Sequence, residues 1–154
     1  MEICRVDLKE EIDGSYEIII DAGLIGSLSQ ELKQKPLAGA YAIVTDSNVE
    51  KIYGRKLLKN FQTKNLHVHL ISFPAGEKSK SRAAKEKVEN EMLSLGLGRD
   101  TCIIALGGGV VGDLGGFVAA TYMRGIPYIQ VPTTLLAMVD SSIGGKVAVD
   151  TGNA

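Results

Sequence analysis

The apolar run Thr101-Cys102-Ile103-Ile104-Ala105-Leu106 feeds directly into Gly107-Gly108-Gly109-Val110-Val111-Gly112-Asp113 and then into Leu114-Gly115-Gly116-Phe117-Val118-Ala119-Ala120. That order reads as a buried strand, a glycine turn and a helix, and it constrains the fold more than any other stretch. Such a turn leaves backbone N–H groups unpaired at the positive end of a helix, and with no Cβ in the way a phosphate can come close. The string also fits G-x-G-x-x-G, with two departures from the usual dinucleotide pattern. The turn follows a late strand, and the next strand ends in Gln130 and Pro132 rather than in a carboxylate. A glycine-rich packing turn between helix and sheet is the structural alternative.

Glycine is where the composition deviates. It supplies 18 of 154 residues, about 12% against roughly 7% on average, and the excess gathers after residue 95. With 45% hydrophobic and 23% charged residues, the chain has the length and balance of one globular domain over residues 1–154. Its formal charge of −1 gives no general attraction to nucleic acid or to an anionic membrane. Acids stand near the start, where a signal peptide needs bases, and Asp113 interrupts the longest apolar stretch, so the expectation is a cytoplasmic protein with no membrane segment. Cys102, in the middle of the 101–106 strand, reads as a reduced core thiol, and Cys4 is its one companion.

Residues 3–8 and 16–20 are β-prone and flank Asp13-Gly14, which predicts an opening antiparallel hairpin. Leu24, Ile25, Leu28 and Leu32 recur at helical spacing, and residues 41–45 form a strand without polar alternation, a sign of burial on both faces. A helical pattern (Val49, Ile52, Tyr53, Leu57, Leu58), a strand over 68–73, a helix over 81–95 closed by Gly96, the 101–106 strand, the glycine helix and a strand over 128–131 follow. Alternation of this kind predicts an α/β fold with a doubly wound, mostly parallel sheet. Ligands of such sheets sit beyond the carboxyl ends of the strands. The polar residues just after each strand, Asp46-Ser47-Asn48, Gly76 to Lys80, Gly107 to Asp113 and Thr133-Thr134, should therefore share one crevice.

Several of these residues carry two readings. Asp46 suits a ribose diol and equally a helix N-cap, with Asn48 in support. Asp113 can offset the helix dipole or accept from ligand hydroxyls, while Thr133 and Thr134 can cap a helix or hold a phosphate. Lys146, after the paired Gly144-Gly145, is either an anion ligand or an exposed turn lysine. Arg124 is either a partner for the helix dipole or an anion clamp. His67 and His69, at i and i+2 on a strand, share a face, but a catalytic zinc site needs a third protein ligand.

Taken together, Pro74-Ala75-Gly76-Glu77 with Lys80-Ser81, the 107–113 turn, Tyr122-Met123-Arg124-Gly125, Pro132-Thr133-Thr134-Leu135-Leu136-Ala137 and Asp140-Ser141-Ser142-Ile143-Gly144-Gly145-Lys146 resemble the dehydroquinate synthase family. The resemblance implies a Rossmann-like, NAD-binding amino-terminal domain of a metal-dependent lyase of the shikimate pathway. Such an enzyme converts the seven-carbon sugar acid phosphate DAHP to dehydroquinate and phosphate. NAD⁺ transiently oxidises a ring hydroxyl, the neighbouring C–H becomes acidic, phosphate leaves, and the ketone is reduced again before ring closure. Carried onto this sequence, Asp46, Asn48, Gly76, Glu77, Lys80, Gly108, Gly109, Val110, Asp113, Thr133 and Thr134 are expected to bind NAD. Asp140 and Lys146 are expected to face the substrate, and Arg124 to reach the substrate phosphate of a neighbouring subunit in a homodimer.

The metal, zinc or cobalt, is implied for a helical carboxyl-terminal domain bearing a glutamate and two histidines, a domain absent from this chain. His67 and His69 do not match those ligands, so no metal residue is expected here and the chain alone is expected to turn over no substrate. A metal-dependent polyol dehydrogenase, another sugar-phosphate cyclase and a non-catalytic nucleotide-binding module are the alternatives. The Asp-Ser-Ser-Ile-Gly-Gly-Lys string favours the synthase over the dehydrogenase.

Overall fold

Four strands read from their apolar runs form one parallel sheet: β1 (Ala40–Asp46), β2 (Val68–Phe73), β3 (Thr101–Gly107) and β4 (Tyr128–Pro132), in the order β2-β1-β3-β4. The protein is seen here in a computed structural model that describes residues 15–151. Register runs from Tyr41↔Val68 to Asp46↔Phe73, from Ala40↔Thr101 to Thr45↔Leu106, and from Ile103↔Tyr128 to Gly107↔Pro132. The two strands without polar alternation, β1 and β3, take the centre, where both faces are covered.

Helices cover each face. On one lie α1 (Leu24–Gln34) and a helical stretch that begins as α2 (Ser47–Val49), widens to a π-helical turn over Glu50–Gly54 and continues as α3 (Arg55–Thr63). On the other lie α4 (Arg82–Ser94) and α5 (Gly109–Thr121). The period-2 alternation of the strands divides the core accordingly. Tyr41, Ile43, Cys102, Ile104 and Leu106 pack with Leu32, Leu57 and Phe61, whereas Ala42, Val44, Ile103 and Ala105 pack with Val88, Met92, Leu114 and Val118. Burial pushes the Cys102 thiol up to about 12, as a core thiol requires.

Local signals end the elements where the sequence placed them. Ser81 Oγ accepts from Ala84 N at the start of α4. At its end Gly96 takes φ +70°, and Leu97 N and Gly96 N donate to Met92 O and Leu93 O, the paired bonds of a glycine-terminated helix.

The opening hairpin predicted over residues 3–8 and 16–20 falls largely outside the described residues, as do its Asp13-Gly14 turn and Cys4; residues 16–20 pair with no strand among the described residues. β-Branched side chains favour a pleated surface, but a strand exists only beside a neighbour's ladder. Among the described residues none runs beside this segment, and Ile20 stays 91% exposed. Its recorded tie is Tyr16 Oη, which accepts from Gly144 N (2.7 Å).

Strand order fixes where the chain reverses. The crossover from β1 leaves across the α3 face, whereas those from β2 and β3 run across the α4/α5 face. The loops after β1 and β3 therefore diverge, and a crevice opens between them. Beneath it Thr45 Oγ1 donates to Leu106 O (2.7 Å), fully buried, and locks the two central strands together.

Candidate functional site

Every loop at the carboxyl ends of the strands contributes to one rim. Asp46 closes β1, and its Oδ1 accepts from Asn48 N (2.8 Å) and Val49 N (3.0 Å), which leaves Oδ2 without a partner among the described residues. The cap and ligand readings of Asp46 are thus compatible, one oxygen for each. Ser47 Oγ accepts from Ala75 N (3.2 Å), tying the loop after β1 to the loop after β2. Gly76 takes φ +113°, a conformation side-chain-bearing residues avoid, and starts the single turn Glu77–Ser79, which Ser79 Oγ fastens by donating to Pro74 O.

The chain then brings Lys80 across the crevice to α5. Its Nζ lies 2.7 Å from Asp113 Oδ2, with both side chains largely buried. The hydrogen bond to Asp113, above all, holds the Lys80 ammonium above its ordinary range against the opposing effect of burial. Asp113 therefore departs from the reading that placed it in the first helical turn. Because α5 starts at Gly109, Asp113 falls one turn in, and no acid offsets the positive helix end.

That helix end is built for close approach. Gly107 O accepts from Thr133 N (2.9 Å). A Cβ at Gly108 would lie 3.3 Å from Thr134 Cγ2, and one at Gly109 would lie 3.4 Å from Ser141 Oγ. Val110 follows in the same turn, and the first N–H groups of α5 have no acceptor within the helix. Thr134 Oγ1 caps the next turn by accepting from Ala137 N (3.2 Å), so both threonines stand beside the glycines, Thr133 through its N–H and Thr134 through its side chain. Asp46, Gly109 and Thr133 thus stand round one crevice, and its unopposed N–H groups and glycine cradle fit a nucleotide's phosphates.

Downstream, a π-helical turn over Ala137–Ser141 carries Asp140. Gly144 and Gly145, at φ +84° and +65°, fold the chain back so that Lys146 Nζ pairs with Asp140 Oδ1 at the open surface. Asp150 N then donates to Lys80 O (2.9 Å), so the segment returns along the rim.

Arg124, one of the predicted site residues, and the His67/His69 pair lie elsewhere. Arg124 follows the far end of α5, exposed, and both Met123 and Arg124 hold left-handed backbone, at φ +51° and +71°. The helix puts about 20 Å between Arg124 and the glycine turn. His67 and His69 stand at the amino end of β2. Among the described residues no group of three or more His, Cys, Asp or Glu side chains gathers to hold a metal.

Two buried groups escaped the sequence reading. Ser141 Oγ, against Gly109, and Gln130 Nε2 have no hydrogen-bond partner among the described residues, and Gln130 Oε1 lies 2.7 Å from where a Gly112 Cβ would stand. Nothing in the string separates Ser141 from Ser142. Gln130 drew notice only as the place where a carboxylate was missing.

A doubly wound parallel sheet with an unopposed glycine helix end at its switch point defines the class of α/β domains that grip nucleotide phosphates. A family model described as 3-dehydroquinate synthase N-terminal matches residues 70–154, more than half of the chain. The chain belongs to the 3-dehydroquinate synthase family. It is 50% identical over 145 residues to a 3-dehydroquinate synthase of Clostridium botulinum, covering 94% of this chain and 41% of that protein. Among solved structures it is similar to ValA, the 2-epi-5-epi-valiolone synthase of Streptomyces hygroscopicus with NAD⁺ and Zn²⁺ bound. That match has TM-score 0.78 and 30% identity, over 96% of this chain and 40% of that one. A 2-deoxy-scyllo-inosose synthase complexed with carbaglucose-6-phosphate, NAD⁺ and Co²⁺ matches with TM-score 0.77 and 30% identity, over 86% of this chain and 36% of that one. The chain spans about two fifths of the length of the curated relatives it matches.

Proposed function

We propose that this chain is the cofactor-gripping part of a cytoplasmic 3-dehydroquinate synthase, the lyase that converts DAHP to 3-dehydroquinate and phosphate. The observation that carries this reading is the unopposed glycine end of α5 at the switch point, with the free Asp46 oxygen across the crevice. NAD⁺ bound there would supply a hydride acceptor and donor. The N–H groups of Gly109 and Val110, the glycine at 108 and the Thr133 hydroxyl hold its phosphates. Asp46 Oδ2 accepts from a ribose hydroxyl, Asn48 assists, and Gly76, Glu77 and Lys80 close the second side of the crevice with Lys80 braced on Asp113. Thr134 keeps the Pro132-Thr133 corner in place through its cap.

Asp140 holds Lys146 Nζ over the rim, where the ammonium meets the anionic groups of the sugar acid phosphate or the negative charge that builds up as the acidified proton leaves. Arg124 is too far from its own crevice to act there. Its left-handed backbone, a conformation that costs energy, fits a residue held for contact with a second copy, so the assembly we propose is a homodimer.

Calorimetric titration with NAD⁺ tests the cofactor assignment. Asp46→Asn keeps the cap, because the amide oxygen still accepts from Asn48 N and Val49 N, but replaces the ribose acceptor with a donor. The expected result is unchanged melting with affinity weakened about tenfold to a hundredfold. Equal affinity in the variant would remove Asp46 from the ribose, and failure of the unaltered chain to bind NAD⁺ would remove the cofactor reading itself.

A further inference from the structure

The two histidines outside the crevice are close enough to work together. Their Nε2 atoms lie 3.1 Å apart, with ring centroids 5.1 Å apart and planes at 72°. Two ligands bound at about 2.0–2.1 Å to one metal ion stand about 2.8–3.0 Å apart at a right angle and about 3.3–3.4 Å apart at a tetrahedral angle. The observed separation falls between these bites.

The backbone holds the pair in place. Tyr41 N donates to His67 O (2.9 Å), and His69 is in register with Ala42, so both residues are fixed by the ladder to β1. With i and i+2 on one face, the rings need little further ordering to share a ligand, which removes much of the usual cost of assembling a site. β2 is an outer strand of the sheet, His67 is exposed and His69 half-buried, so solvent reaches the pair and can supply further ligands.

We propose that His67 and His69 form a two-imidazole chelate for a first-row divalent transition metal, with the remaining positions taken by water. Without metal, one Nε2–H donates to the other Nε2. On binding, the donor ring changes tautomer, its proton moves to Nδ1, and both Nε2 lone pairs face the ion. Imidazole nitrogen suits Cu²⁺, Ni²⁺ and Zn²⁺, with Cu²⁺ the tightest of these. The site stands at the amino end of the strands, away from the glycine turn, and does not depend on the cofactor reading.

Titration of this chain with Cu²⁺, followed by calorimetry and electron paramagnetic resonance, tests the proposal. The expected result is one tight equivalent whose spectrum carries two nitrogen ligands. Affinity should fall about a hundredfold in His67→Gln and by a similar factor in His69→Gln, since either change leaves a single ligand where two had acted together. Affinities equal to wild type in both variants, or a wild-type spectrum with fewer than two nitrogens, would overturn it. The wild-type spectrum decides the case alone should a variant fail to fold.

Discussion

Glu50 joins three stretches of chain through one carboxylate. It sits in the π-helical turn, Arg55 Nε donates to its Oε1 (3.0 Å) from the start of α3, and the Ser72 hydroxyl reaches it from β2. Ser72 first, and then Arg55, holds the Glu50 carboxyl below its ordinary range. A folded-state value below the unfolded one means that the contribution to stability is complete at neutral pH and disappears as pH falls through the lowered value. The Arg55 partner is exposed to solvent, so screening keeps the effect small. In urea unfolding between about pH 7 and about pH 3, Glu50→Gln should lose stability less steeply on the acid side than wild type. Parallel curves through that window would deny the carboxylate this role.

α5 lies so close to the sheet that its small residues decide its position. A methyl on Gly116 would fall well inside contact distance of Val147 Cγ1 and 3.2 Å from Tyr128 Cε2, whereas a methyl on Gly26 of α1 meets nothing within 4 Å. Alanine favours a helix over glycine by up to about 1 kcal/mol, and overpacking costs about 1–3 kcal/mol. Gly116→Ala should therefore destabilise while Gly26→Ala stabilises, and denaturant midpoints that move the same way would contradict the packing account. The elements themselves were legible wherever one physical signal dominated. Unalternated apolar runs marked β1 and β3, helical spacing marked α1 and α3, and Ser81 with Gly96 marked the ends of α4. Residues 16–20 carry β-propensity, which describes side-chain shape and says nothing of a neighbouring ladder, and their predicted partner lies outside the described residues. The π-helical turns at Glu50–Gly54 and Ala137–Ser141 leave no mark at that level, because the wider turn is set by what packs around it. Asp113 was misplaced by one turn since the helix start depends on how Gly107 and Gly108 finish the strand, and the unpartnered Ser141 Oγ is a property of its surroundings alone.

At the scale of the whole molecule, the strand order β2-β1-β3-β4 sets the crevice between the two central strands, and the motif residues collect there because each follows a strand end. Arg124 was legible as a cation, but its distance from the crevice followed only from the direction of α5. That helix runs from the glycine turn toward Arg124 across about 20 Å, so Arg124 stands well away from its own crevice. In the homodimer proposed above, Arg124→Ala and Lys146→Ala forms of the complete protein should each be inactive. An equilibrated mixture should recover about a quarter of the wild-type rate of phosphate release, because one crevice of each hybrid pair keeps both side chains. A mixture that stays silent would put Arg124 to work within its own chain. Two damaged copies of the gene would then complement each other when one lesion falls in the crevice and the other at Arg124, and would fail together when both fall at the same place.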